Sequence, residues 1–205
     1  NFHGRTVTIV SFSTEPLYRD DFGPFTPGFV IVKYGDADAL EKAITPNTAA
    51  VMLEPIQGEA GVIIPPAGYL KKISEICKQN NVLFMADEIQ TGLARTGKLW
   101  GVNHWDITPD IIATAKSLGG GVMPVSSVTT TEEIFKPMMY PNPFMHTTTT
   151  GGGALACAAA IAAINVTLRD RLWEGAETKG TYLKEKVGEL ADEFPARVGA
   201  LFFLL

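Results

Sequence analysis

Three short, apolar, β-rich runs each stop at an ionisable residue: AAVMLEP at Glu54, NVLFMADE at Asp87 and Glu88, and PDIIATAK at Lys116. A lysine directly after a buried strand and ahead of GGG reads as an amine that is partly desolvated, its pKa lowered, and able to form a Schiff base with an aldehyde. Alone, it reads equally as a surface lysine in a loop. A carboxylate at a neighbouring strand end keeps a pyridine nitrogen protonated and makes the ring an electron sink, although Asp87 with Lys116 also suits a structural ion pair. The run HTTTTGGGALACAAA, residues 146–160, places hydroxyls and bare backbone at the entrance of a helix. Unpaired N–H groups and the positive end of the dipole make such an entrance a seat for an anion. By itself the run is also an ordinary over-capped turn. An aldehyde-binding lysine, a pyridinium partner and a phosphate seat together describe pyridoxal phosphate.

The elements that must position these groups are legible around them. Continuous apolar runs of this length suit strands buried on both faces, and the three lie roughly thirty residues apart, the repeat of strand, crossover helix, strand. An α/β domain with a largely parallel sheet follows, and in such sheets strand-terminal Glu54, Asp87 and Lys116 project toward one crevice. Between the first two runs, Tyr69, Leu70, Ile73, Ile76 and Cys77 recur at helical spacing and predict the crossover helix, closed by Asn80 and Asn81. FVIVKY predicts a further strand, DADALEKAI a short helix capped by Asp36, and VSSVTTT a strand of polar, edge character. RTVTIVSFS is β-branched enough for a strand and remains open to helix.

From Gly151 onward the pattern is helical. ALACAAAIAAINVTL is small and apolar nearly all round, as in a helix packed inside a protein, whereas AETKGTYLKEKVGELADEF is amphipathic, with Leu183, Val187 and Leu190 on one face. The rise in charge marks a domain boundary, with residues 1–169 in one domain and 170–205 opening a second. The chain begins at NFHGRT without methionine and stops on the strand-like ARVGALFFLL, so it reads as an internal piece of a longer protein.

Bulk properties narrow the classes. In 205 residues, 46% are hydrophobic and 19% charged, enough for a sizeable core. The net charge of −5, with basic residues scattered among acids, argues against nucleic acid. No run reaches the apolar length of a membrane span, and the start lacks signal-peptide architecture. Cys77 and Cys157 sit in unrelated contexts and read as small core residues of a reducing, cytoplasmic compartment, while His3, His104 and His146 are too dispersed for a metal site.

The stretches NFHGRT, FGPFTPGF, EPIQGEAGVIIPPAGYL, ADEIQTGLARTGKLW, TPDIIATAKSLGGGVMPVS and LACAAA closely resemble the class III, or ω-, aminotransferases of the fold type I pyridoxal-phosphate enzymes. Residues 1 to about 100 resemble the ornithine branch of that family, and those from about 107 the putrescine, or diamine, branch. The resemblance implies a fold type I large domain followed by a truncated small domain. It implies Lys116 as the Schiff-base lysine, Asp87 as partner of the pyridine nitrogen, Phe2 stacked on the ring and Gln90 beside its phenolic oxygen. It implies that Thr149 reaches the cofactor phosphate of a neighbouring subunit, hence a homodimer or higher oligomer. Arg5 corresponds to the arginine that holds the donor's α-carboxylate, and Glu59 to the glutamate that shields a second arginine until the oxo-acid arrives. The expected reaction is ping-pong transfer of the terminal amine of ornithine, putrescine or another ω-amine to 2-oxoglutarate. The sequence departs from the family pattern at Thr150, Gly153 and Ala154, where an aromatic residue, Asn and Pro are usual, and it lacks the N-terminal glycine-threonine loop and the C-terminal arginine region. A reading of another class is a catalytically inert fragment that keeps only the fold and an oligomer interface.

Overall fold

The three apolar runs form adjacent strands. In the computed structural model, which describes residues 1–143 and 146–194, β1 (Ala50–Leu53), β2 (Leu83–Asp87), β3 (Ile111–Thr114) and β4 (Ser127–Thr130) make one sheet in that order. β1, β2 and β3 are parallel, with Leu53 opposite Ala86 and Asp87 opposite Ala113, so the carboxyl ends of the three runs lie side by side. β4 returns antiparallel along β3 and forms the edge, its polar sequence matching its exposed position.

Seven α-helices surround the sheet among the described residues. α1 (Val7–Val10) resolves the ambiguity of RTVTIVSFS in favour of helix, and α2 (Pro16–Arg19) starts at a proline whose predecessor, Glu15, accepts the Leu17 N–H. α3 (Ala37–Ala43) is capped by the Asp36 carboxylate, which accepts the Ala39 N–H at 2.8 Å. α4 (Tyr69–Gln79) is the crossover between β1 and β2, and its Tyr69, Leu70, Ile73, Ile76 and Cys77 are all buried. α5 (Glu132–Phe135) follows β4, and α6 (Ala154–Arg169) and α7 (Leu172–Glu193) complete the described chain. α7 starts earlier than expected, taking in Leu172 and Trp173, and its first turn carries the Arg171–Glu174 ion pair.

The core lies on one side of the sheet. α3 and α4 close over Phe84, with Val51, Leu53 and Trp105 packed at the margin. Along β2, Phe84 and Ala86 are buried, while Leu83 and Met85 are only partly so. Burial on both faces, expected for such apolar strands, is therefore met on the α4 side alone among the described residues.

Three further expectations fail. FVIVKY is not a strand: its Val32 and Tyr34 side chains pack on the core, and the Tyr34 hydroxyl donates to the carbonyls of Glu54 and Pro55, but no backbone ladder forms. α6 is not interior: Leu155 is 70% and Ile161 60% exposed. It docks through its small residues, because a Cβ built at Gly120 would stand 3.2 Å from the Ala163 Cβ, and its other faces lie open. Cys157, carried on that helix, is accordingly exposed, whereas Cys77 is buried and its thiol is pushed up to about 11 by loss of solvent. The strand expected at ARVGALFFLL lies outside the described residues.

Candidate active site

At the carboxyl end of the parallel strands, the chain encloses a cavity of about 220 Å³ lined by Lys116, Asp87, Glu54, Gln90, Glu59 and Phe2, with His3 and Gly4 beside them. Each strand delivers its terminal group. Asp87 is the last residue of β2, Glu54 follows β1, and Lys116 stands two residues beyond β3. Position on parallel strands thus brings together residues far apart in sequence.

Lys116 opens a single 3₁₀ turn, Lys116–Gly119, with φ of +45°, a left-handed conformation uncommon for a residue with a Cβ. Its ammonium donates to Gln90 Oε1 at 2.6 Å, and Glu59 Oε1 stands 4.0 Å away. The lysine side chain is 49% exposed, so the desolvation expected of a strand-terminal lysine is not supplied by this chain. Gly58 makes room for Gln90, since a Cβ at that position would meet its amide at 2.6 Å.

Asp87 is 4% exposed and has one partner on each oxygen. His3 Nδ1 lies 2.7 Å from Asp87 Oδ2, and the Ile89 N–H donates to Oδ1 at 3.0 Å. Each carboxylate oxygen keeps lone-pair capacity for a further donor on the cavity side. His3 is a site residue that sequence reasoning missed. The signal was its place between Phe2 and Arg5 in NFHGRT rather than any metal-like spacing.

Glu54 is 9% exposed, and burial raises its carboxyl pKa against the opposing Gly58 N–H, which donates to Oε2 at 2.9 Å. Its Oε1 is buried without a hydrogen-bond partner. Glu88, next to Asp87, points away from the cavity and acts as a cap. Its carboxylate accepts the N–H groups of Gly101 and Val102 at 2.8 Å each and the Thr91 hydroxyl, fixing the Gly101–Trp105 turn.

Two of the expected residues stand elsewhere. Arg5 does not line this cavity. Its guanidinium lies 4.3 Å from the Tyr18 ring centroid and 5.9 Å from that of Phe2, in an adjoining hollow lined by Val7, Val10 and Leu17. Thr149 is exposed in the turn before α6 and is not among the residues that line the cavity with Lys116. Glu59 lines the cavity, where its Oε1 faces the Lys116 ammonium.

Comparison with known proteins gives the same arrangement a lineage. The ornithine aminotransferase of Brevibacillus brevis is 52% identical over 190 residues, covering 93% of this chain and 47% of that protein. The structure of ornithine aminotransferase from Toxoplasma gondii ME49 superposes with a TM-score of 0.89 at 43% identity, over 97% of this chain and 46% of that one. A second structure of the Toxoplasma gondii enzyme, with a TM-score of 0.86 and 44% identity over 91% of this chain and 43% of that one, is described as having partial occupancy of PLP at its active site. The chain thus spans about half the length of the relatives it matches. It shares with these solved neighbours the mixed α/β architecture of fold type I, a sheet flanked by helices. No described helix is long and apolar enough to cross a membrane. The family model for aminotransferase class III matches residues 1–201, through every described strand and the residues that line the cavity, and the chain belongs to that family.

Proposed function

We propose that this chain is the cofactor-binding portion of a pyridoxal-phosphate-dependent aminotransferase that transfers the terminal amine of ornithine to 2-oxoglutarate in two half-reactions. The observation that carries the reading is the convergence of the Lys116 amine, the buried Asp87 carboxylate and the Phe2 ring on one cavity. An amine for an aldehyde, an acid for a pyridine nitrogen and an aromatic face for a flat ring form a donor set that fits the cofactor. Identity to ornithine aminotransferases over 190 residues, including the stretch that resembles the putrescine branch, favours ornithine as donor. The same reading places residues 1–169 in the large domain and starts a smaller one at residue 170.

When bound, pyridoxal phosphate supplies an aldehyde that takes up the amine and a ring that stabilises negative charge on the adjoining carbon. Lys116 Nζ would hold the aldehyde and, as a free amine, would be the base and acid that moves a proton at the substrate carbon bearing the amine. Gln90 Oε1, the acceptor for Lys116 Nζ in the present arrangement, orients the lysine toward the cavity. Asp87 would hold the pyridine nitrogen, and His3 at 2.7 Å fixes the plane of that carboxylate. Arg5 receives the donor's α-carboxylate, so that the distal amine meets the lysine.

The test uses the purified chain mixed with pyridoxal phosphate, reduced with borohydride and mapped by mass spectrometry. The expected result is a pyridoxyl adduct on Lys116 that is absent from Lys116→Ala, together with complete loss of turnover in that variant. An unmodified Lys116 identifies the chain as an inert fragment, and an active Lys116→Ala enzyme overturns the scheme. Ornithine, putrescine and 4-aminobutyrate assayed side by side in the longest available form of the protein settle the donor.

A further inference from the structure

Arg5 is held by aromatic rings rather than by an acid. Among the described residues it makes no ion pair; its guanidinium lies over the Tyr18 ring, 4.3 Å from the centroid, and 5.9 Å from the centroid of the Phe2 ring. Two other arginines also lie over aromatic rings, Arg19 over Phe25 at 5.1 Å and Arg171, which pairs with Glu174 as well, over Trp173 at 5.9 Å, but neither stands beside the rings of this site. A guanidinium stacked on a ring uses its flat face, and its five N–H donors, which lie in the plane, remain free for a carboxylate in the two-pronged geometry lysine cannot match. Tyr18 also meets Phe2 edge to face, with ring centroids 5.9 Å apart. One side chain of α2 therefore touches both the aromatic wall of the cavity and the cation of the adjoining hollow.

We infer that Tyr18 is a positioning residue for donor specificity: its ring holds the Arg5 guanidinium flat beside Phe2 and presents the donor edge to the α-carboxylate of the amine substrate. The inference rests on the assignment of Arg5 to that carboxylate. Without an acidic partner to compete, the arginine is ready for the substrate, and without the ring it would sample its many rotamers on an exposed surface. A diamine has no carboxylate to offer and gains nothing from the arrangement.

The experiment compares Tyr18→Leu, Tyr18→Phe, Arg5→Ala and the double variant in the full-length protein that carries these residues, loaded with pyridoxal phosphate. Tyr18→Leu should raise the KM for ornithine about five- to tenfold, the scale of one cation–π contact. It should leave kcat, the KM for putrescine and the visible absorbance of the bound cofactor unchanged. Tyr18→Phe, which keeps the ring, should stay near the wild type. Calorimetry with valerate, which has ornithine's carboxylate and carbon chain but no amine, should show the same order of affinities without turnover. In the Arg5→Ala background, Tyr18→Leu should add nothing. If Arg5→Ala itself leaves the ornithine-to-putrescine preference intact, the assignment of Arg5 fails and this inference with it. If Arg5→Ala abolishes the preference but Tyr18→Leu leaves it intact, or raises both KM values alike, the inference alone is overturned.

Discussion

Glu54 and Asp87 end adjacent strands, both are buried, and their surroundings treat them differently. Asp87 has a partner on each oxygen, whereas Glu54 has a buried Oε1 with none. A buried carboxylate short of donors favours its protonated form, and burial accordingly raises the Glu54 carboxyl pKa above its ordinary 4.5. The sign of the consequence follows from linkage: a carboxyl whose folded pKa is raised contributes stability that is complete below 4.5 and is lost as pH rises through the folded value. Glu54→Gln removes that titration and keeps an acceptor for the Gly58 N–H. The stability difference between variant and wild type should therefore move in the variant's favour as pH rises from 4.5 to neutrality. Melting curves across that range check it, and a difference constant with pH would show that Glu54 titrates alike in folded and unfolded chains.

Glu88 acts at the scale of an element. Its carboxylate is 1% exposed and raised by burial, yet it accepts three hydrogen bonds, two from the backbone of the Gly101–Trp105 turn. Gly101 permits the approach, since a Cβ there would crowd Thr91 at 2.8 Å and the Glu88 carboxylate at 3.1 Å. Gln at position 88 turns an NH₂ group toward at least one of these donors, and an unmade buried hydrogen bond costs roughly 1–3 kcal/mol. Glu88→Gln should therefore destabilise the protein by about that amount in denaturant unfolding. Elements such as this turn were hard to read from sequence because they depend on contacts across the fold. β1, β2 and β3 were legible as apolar runs ending at ionisable residues, α4 by its period and α3 by its Asp36 cap, since each signal is local. FVIVKY has strand composition but spends it on side-chain packing against the core. His3 was missed because its partner lies 84 residues away, and the exposure of α6 because a helix sequence does not say what covers it.

At the scale of the whole molecule, α6 and the turn before it raise one question together. The helix is apolar nearly all round, yet Leu155 and Ile161 face solvent in this chain, and open apolar surface of this kind commonly marks a contact with further protein. Thr149, at the entrance to that helix, is exposed and is not among the residues that line the cavity of its own chain. We propose that both are completed by a second copy, α6 lying toward the subunit interface and Thr149 reaching the phosphate end of the neighbouring cavity. Subunit mixing tests this directly in the full-length protein. Lys116→Ala and Thr149→Ala homo-oligomers should each be impaired, the first by loss of its amine and the second by weaker cofactor binding at limiting pyridoxal phosphate. Unfolded together and reassembled as dimers, they should regain activity. In each mixed dimer, one cavity then has its own Lys116 and the partner's intact threonine, and random assortment of two-fold dimers restores about a quarter of all sites. If Thr149 served its own subunit, every mixed cavity would lack one of the two residues, and reassembly would restore nothing.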